Sequence, residues 1–493
     1  MRGKNSLMAV GLTTALTFAA LVPAEAQQTK PNVVIMLADN LGYGDLSAYN
    51  DGIRGYETER LDKLASEGLR FTQFLVEPGC TPSRAALQTG RYSVRSGLSL
   101  VIAPGTPATL QAEEITLGEL FKSADYSTAY FCKWHLGPEP QSLPTAQGYD
   151  EWRIGFYGTS DVSQYRKEMT RNRMPEPMID AITANYSIFE VTEPGGKPRI
   201  LRPYDLEYRK RIEGHIASEA IRYINSKSTA GEPFFIQIGW TRPHFPNLVT
   251  EEFADKSGIG RYGDSLLDHD HQVGRVLDAL EELGIVNDTI VVWISDNGPT
   301  RTTANIEELN MGSAGPFSGE LGDGKEGSIR TAGMIRWPGK IEPGVSNEMI
   351  AIHDFFPTLA KIIGAKVPDD RPIDGVDQSN WLLGGQQKSN RDSLITFVGD
   401  RIVAVRWKQF RFYPVSFTPQ PTNPRMMGYG SSMLEHAGYP NMFNIEEDPR
   451  EERPVLDTGI WSVGQYLRII GEYQATLKKD PNAPAFSMTD FRK

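Results

Sequence analysis

The most continuous apolar run inside the chain is Asn32 to Ala38 (NVVIMLA), too short for a helix and without alternation. Such a run, rich in β-branched residues, predicts a strand buried on both faces. Similar runs at residues 69–76, 126–132, 234–240 and 289–295 predict four more strands. Between them the period changes to that of a helix. Residues 58–67 predict a helix with Thr58 as its N-cap and Gly68 as its stop. Residues 262–283 predict a long one, with Leu266, Val273, Val276, Leu277 and Leu280 at helical spacing and Gly284 at its end. Strands alternating with amphipathic helices predict an α/β sheet covered by helices. From about Asp370 the texture changes: Pro, Gly, Asn and Gln are dense up to Arg391. Residues 393–412 then alternate as in an antiparallel sheet, and a helix is predicted near 465–478. Residues 391–493 are therefore expected to form a smaller C-terminal α+β subdomain on a main domain of residues 27–390.

Residues 1–26 fit an export signal. Arg2 and Lys4 open it, residues 7–22 are mostly apolar, and Ala24-Glu25-Ala26 fits small-x-small cleavage. The apolar stretch is short for a membrane span, and no later stretch suits one. The expectation is an exported protein, periplasmic or secreted, without stable membrane insertion. With 493 residues and 39% hydrophobic content, the chain can bury a substantial core. Its net charge of −11 argues against a nucleic-acid partner, which needs a basic face. Two cysteines cannot make a disulfide framework or, alone, a cysteine-rich zinc site.

In open α/β sheets, ligands bind beyond the carboxyl ends of the strands. The residues just after each predicted strand are therefore informative. After 32–38 come Asp39 and Asn40; after 289–295 come Asp296 and Asn297. These four oxygen donors suit a hard cation such as calcium. Ordinary turn chemistry explains either pair alone, but matched strand ends favour the metal. After 69–76 comes Cys80-Thr81-Pro82-Ser83-Arg84, a helix start with Thr81 as the expected cap and Gly90 as the stop. A helix N-terminus favours an anion and lowers a thiol pKa, and Arg84, one turn in, would face the same anion. The bland alternatives for Cys80 are a buried inert thiol or a disulfide with Cys132. After 126–132 come Lys133 and His135, which share a face of an extended segment and suit anion binding with proton transfer. After 234–240 come Arg242 and His244, the histidine held between Pro243 and Phe245. His215, His269, His271, His353 and His436 lie in helical patterns or loops without partners and read as structural.

With these segments in this order, the chain resembles the type I, formylglycine-dependent sulfatases of the alkaline phosphatase superfamily. The resemblance rests on Cys80-Thr81-Pro82-Ser83-Arg84 with the adjoining Ala85 to Arg91, on Lys133-Trp134-His135-Leu136-Gly137, on Asp39-Asn40-Leu41-Gly42-Tyr43-Gly44-Asp45, and on Asp296-Asn297-Gly298. It runs from about Pro31 to Trp337, with further agreement at residues 443–450. It implies a large, mixed, mainly parallel sheet flanked by helices. It implies that a separate maturation enzyme converts Cys80 to formylglycine, whose hydrate supplies the nucleophilic oxygen. One calcium ion, held by Asp39, Asn40, Asp296 and Asn297 with the residue at 80, would bind that oxygen and the sulfate. Arg84 would steady the nucleophile, and Lys133 would bind sulfate oxygens. His244 would protonate the leaving oxygen, and His135 would help the covalent sulfate leave. The implied activity is hydrolysis of aryl or other small sulfate esters. Relatives acting on phosphonate or phosphate diesters use the same modified cysteine, but tend to have histidine where this chain has Asn297. A catalytically degenerate binding protein is the non-enzymatic alternative.

The chain departs from the family pattern in three places. Asn40 stands where a second aspartate is usual. Cys132 replaces the usual glycine before Lys133. At the usual sulfate-binding lysine the strict alignment gives Leu321, and the nearest lysine is Lys325, directly before Glu326-Gly327-Ser328-Ile329-Arg330. Lys325 is thus a candidate substrate-binding residue. Residues 155–200 and 426–441 are candidate substrate loops.

Overall fold

The structure, a computed structural model, describes residues 1, 3, 30–103, 106, 108–300, 303–305, 308–309, 312–418 and 432–485. The predicted export signal lies almost wholly outside these. Its centre is a ten-stranded sheet. The five predicted strands are β1 (Asn32–Asp39), β2 (Leu69–Leu75), β3 (Ser127–Lys133), β7 (Phe234–Pro243) and β8 (Thr289–Ser295). Between β3 and β7 in the chain come β4 (Glu151–Phe156), β5 (Ser187–Val191) and β6 (Arg199–Pro203). The order across the sheet is Gly344–Ala351, β2, Arg330–Arg336, β8, β1, β7, β3, β4, β5, β6. The inner strands β8, β1, β7, β3 and β4 run parallel. Arg330–Arg336 is antiparallel to both its neighbours, as are β5 and β6 to theirs.

The unbroken apolar run of β1 has a physical cause. Val33, Ile35 and Leu37 join the core on one face of the sheet, while Val34, Met36 and Ala38 join the core on the other. Helices cover both faces, so neither register of β1 meets water. The long helix observed is Arg261–Glu282, and the shorter one is Glu59–Glu67. Thr58 is the N-cap residue of the latter, but its hydroxyl makes no capping bond; it donates to Asp62 Oδ1 at 3.2 Å instead.

Residues 155–200 are only partly a loop. They hold the antiparallel strand β5, the start of the antiparallel edge strand β6, and the helices Tyr165–Arg171 and Glu176–Ala184. β6, exposed along its length at the sheet edge, lacks a clean alternation. Of residues 426–441, those up to 431 lie outside the described residues, and Ser432–Glu435 form a strand.

The C-terminal part carries a four-stranded antiparallel sheet of Ser393–Val398, Arg401–Trp407, Phe410–Tyr413 and Asn441–Asn444. The helix Val463–Thr476 packs on it. One apolar cluster joins this unit to the main sheet: Leu75, Tyr92, Ile329 and Met349 pack with Phe397, Phe412 and Ile469. The Pro- and Gly-rich stretch before it is pinned rather than loose. Asp374 receives Arg95 at 2.6 and 2.8 Å, and Arg391 binds Asp354. Among the described residues no helix is long and apolar enough to cross a membrane.

Candidate active site

The carboxyl ends of β8, β1, β7 and β3 lie side by side in the sheet, and their registers align the polar residues that come next. Ala38 pairs with Ser295, Asp39 with Pro243, and Cys132 with Gly239. Asp39, Asn40, Asp296 and Asn297 thus meet at one edge, and all four are buried. The helix Cys80–Thr89 brings Cys80 onto them. Its Sγ lies 3.2 Å from Asn40 Oδ1 and 3.5 Å from Asp39 Oδ1. Ligand atoms of Asp39, Cys80 and Asp296 all fall within 4.8 Å of one another.

Gly79, not Thr81, takes the N-cap position. The Thr81 hydroxyl instead donates to the carbonyl of His135 at 3.1 Å and accepts Ile102 N, tying the helix to the strand-end turn. Gly90 ends the helix with φ 68°, as expected. The helix N-terminus does not lower the Cys80 pKa. Burial, with a smaller push from the Asp296 carboxylate, raises it well above the usual thiol range. As a thiol, Cys80 is therefore protonated and a poor nucleophile. Cys80 and Cys132 are both buried and free, so the disulfide alternative fails.

Arg84 uses its whole guanidinium here. Nε and Nη2 donate to Asp296 Oδ2 at 3.0 and 2.9 Å, and Nη1 donates to Lys133 O at 2.8 Å. Lys133 Nζ lies 2.8 Å from both oxygens of Asp39. Burial, the largest single influence, disfavours its charge, but Asp39 and the other acidic groups beside it together outweigh burial, so its pKa is raised. Two carboxylates face two cations, and the formal charge of this group is zero.

The hydrogen-bond polarity of the two carboxamides is fixed by a carbonyl. Asn297 Nδ2 donates to Gly298 O at 2.8 Å and to Asn40 Oδ1 at 2.9 Å. A carbonyl only accepts, so the Asn297 nitrogen must point that way. Asn40 then presents its oxygen to the cluster and donates through Nδ2 to Thr300 Oγ1 at 2.9 Å. Among the described residues Asn297 Oδ1 is left buried with no hydrogen-bond partner. An unpaired buried oxygen beside two carboxylates is what a hard cation would satisfy. The residues present fit calcium.

Two histidines border the cluster. His135 Nε2 meets Ile102 O at 3.0 Å, so that nitrogen carries the proton. Its Nδ1 is buried, without a partner among the described residues, and able to accept. Burial and Lys133 pull its pKa well below the usual imidazole value. His244 Nδ1 donates to Phe245 O at 2.7 Å, leaving Nε2 as the acceptor. Burial and Lys133 lower its pKa to about 4. Both rings are neutral near pH 7; a bound anion beside Lys133 would oppose that effect.

Three backbone positions at this edge are left-handed: Asn40 (φ 63°), Cys132 (φ 70°) and His135 (φ 61°). Strained backbone of this kind concentrates at functional sites. It also gives a reason for the glycine expected at Cys132.

Lys325 takes a different position. Its amine donates to Ser318 Oγ at 3.2 Å. The surrounding segment borders the site, since Leu321 N donates to Pro299 O and Gly322 N to Pro78 O. Arg242 is committed to Asp268 at 2.9 and 3.1 Å. Sequence reasoning missed Thr300, which orients Asn40, and a buried group of Arg209, Thr241 and Glu213 beneath His244. A lone Thr or Arg carries no spacing signal that would have marked them. His269, read as structural, faces Glu213 across 3.6 Å and accepts from Trp293 at 3.3 Å.

Comparison with known proteins agrees with this geometry. A family model described as Sulfatase matches residues 31–365. The chain is 33% identical to human arylsulfatase A over 483 residues, covering 92% of this chain and 89% of the relative. It is 31% identical to the dog N-acetylgalactosamine-6-sulfatase, covering 97% and 92%. A crystal structure of a sulfatase from Pseudoalteromonas sp. superposes with a TM-score of 0.85, at 29% identity over 92% of each chain.

Proposed function

The chain belongs to the sulfatase family and is a sulfuric ester hydrolase; from that premise we propose that it hydrolyses aryl or other small sulfate esters at the Cys80 cluster, after conversion of Cys80 to formylglycine. The observation that carries this reading is the convergence of Cys80, Asp39, Asn40, Asp296 and Asn297 with an unpaired Asn297 oxygen among them. A calcium ion held by these residues supplies charge neutralisation for the sulfate oxygens, and an aldehyde hydrate at position 80 supplies the attacking oxygen, when each is in place.

The chain's own residues then divide the remaining work. Lys133 binds sulfate oxygens with an ammonium that burial keeps free of water. Arg84 holds Asp296 and the Lys133 carbonyl, and so fixes the wall behind position 80. His135 accepts a proton at Nδ1, because Ile102 O holds the proton on Nε2. His244 moves a proton through Nε2 to the leaving oxygen, its Nδ1–H being spent on Phe245 O. In the free protein its low pKa leaves Nε2 unprotonated near neutral pH; the negative charge of a bound sulfate ester beside Lys133 favours protonation of Nε2, and that proton then passes to the leaving oxygen. Lys325 would need to leave Ser318 to reach the sulfate, and is proposed only for the outer part of the pocket.

The N-terminal pattern of residues 1–26 supports export to the periplasm or medium, with the maturation enzyme as the one required protein partner. The test is a paired assay of the calcium-loaded, full chain on an aryl sulfate and on a phosphodiester. Faster turnover of the aryl sulfate is expected. Much faster turnover of the diester overturns the sulfate assignment, and turnover of neither supports a binding protein.

A further inference from the structure

The turn that carries His244 is gripped by a guanidinium that the reaction does not use. Arg209 ends the short helix Leu206–Arg209 and is fully buried. Its Nε donates to Pro246 O at 3.1 Å. Its Nη2 donates to His244 O at 2.6 Å and to Thr241 O at 3.1 Å. Its Nη1 donates to Thr241 Oγ1. One side chain therefore binds three carbonyls within residues 241–246, including that of His244 itself.

The clamp is braced from beneath. Glu213 accepts Thr241 N at 2.9 Å and the Thr241 hydroxyl. The hydroxyl thus receives Arg209 and donates to Glu213, so its two roles are both filled. Glu213 is itself held as a carboxylate: burial opposes its charge, but His269 and Arg242 outweigh it and lower its pKa. Among the described residues the imidazole of His244 has one hydrogen bond, and that bond is to the next residue of the same turn. Its place is therefore set by the turn, and the turn's place by Arg209.

We propose that Arg209, braced by Glu213 through Thr241, is a positioning residue for His244 and aims its Nε2 at the leaving oxygen. The proposal rests on the acid role given to His244 under the proposed function. A buried arginine is costly to desolvate, and its planar fork suits several fixed acceptors at once. General acids lose their effect when displaced by small distances.

The experiment uses the full, matured chain and a series of aryl sulfates whose phenols span a range of acidity. An acidic phenol leaves unaided, whereas a weakly acidic one needs the proton from His244. The readout is the slope of log kcat/KM against phenol pKa for the parent, His244→Ala, Arg209→Gln, Arg209→Lys and the His244→Ala, Arg209→Gln double variant. We expect His244→Ala and Arg209→Gln both to steepen the slope, with at least about tenfold more loss on the poorest leaving group than on the best. Arg209→Lys should fall between parent and Arg209→Gln, and the double variant should be no steeper than His244→Ala. An unchanged slope in Arg209→Gln beside a steepened one in His244→Ala overturns the positioning role and leaves the acid assignment standing. An unchanged slope in His244→Ala overturns the acid assignment itself. If Arg209→Gln does not fold, Thr241→Val removes only the shared hydroxyl and is held to the same slope criterion.

Discussion

Lys133 Nζ sits 2.8 Å from both carboxylate oxygens of Asp39, inside the group that also contains Cys80 and Asp296. The ammonium thus balances a carboxylate that the proposed calcium would also use. Removing it takes a positive charge away from a divalent cation's site. Lys133→Met is predicted to bind calcium more tightly, read by calorimetry and by a larger calcium-dependent rise in Tm. Sulfate-ester turnover should fall by about 100-fold or more, because a donor to the transition-state oxygens is lost. Weaker calcium binding, or unchanged turnover, would contradict the dual role.

Asn40 owes its orientation to Thr300, which accepts Nδ2 at 2.9 Å and so keeps Oδ1 on the cluster. Thr300→Val removes that acceptor and leaves a buried N–H unpaired. Calcium affinity measured by calorimetry should fall about fivefold to tenfold, for a lost bond of about 1–1.5 kcal/mol. Asn40→Asp adds a carboxylate and should bind calcium more tightly than the parent. Equal affinities across the three proteins would show that the carboxamide does not face the metal.

Much of this site was legible in the sequence because it depends on strand ends. Asp39, Lys133, His135, His244 and Asp296 each come after an apolar run, and a parallel sheet brings such ends to one edge without further information. The helix after Cys80 was legible through Pro82 and Gly90. Its effect on the thiol was not, because burial is a property of the assembled fold and outweighs the helix end. The edge strand β6 was missed for a similar reason: it is exposed along its length and shows no core-facing alternation. Arg209 and Glu213 act through backbone carbonyls and one hydroxyl of a turn distant in sequence. Such contacts leave no mark in residue type or spacing.

Cys132 occupies a left-handed position, φ 70°, inside the core. Every L-residue pays a steric cost there that glycine avoids, of about 1–2 kcal/mol. Cys132→Gly should therefore be more stable to urea than Cys132→Ala, although alanine keeps the larger side chain. A more stable alanine variant would mean that packing, not backbone, governs this position.

Glu326 ties the C-terminal sheet to the main domain. It binds Arg411 Nη1 at 2.6 Å, Arg330 at 3.3 Å and Arg406. Burial alone would raise its pKa, but Arg406 and Arg411 outweigh burial and lower it to about 2, from a usual 4.5. A depressed carboxyl stabilises the fold above its unfolded pKa, and that stability is lost as pH falls from about 4.5 to about 2. The shift corresponds to about 3 kcal/mol. Glu326→Gln leaves buried guanidinium groups unpaired and should cost about 3–5 kcal/mol near pH 7. It should also flatten the acid limb of the urea-midpoint profile. A variant with the parent's stability and the same acid limb would remove Glu326 from this role.

Position 80 is held to work as an aldehyde and not as a thiol, and the whole proposed chemistry depends on it. This is tested most directly by mass spectrometry of the Cys80 peptide, from protein made in a host that has the maturation enzyme. The predicted result is a formylglycine-containing peptide that reacts with a hydrazide and is absent from Cys80→Ala. Recovery of only the thiol, or of a Cys80–Cys132 disulfide, from protein that hydrolyses an aryl sulfate would contradict it.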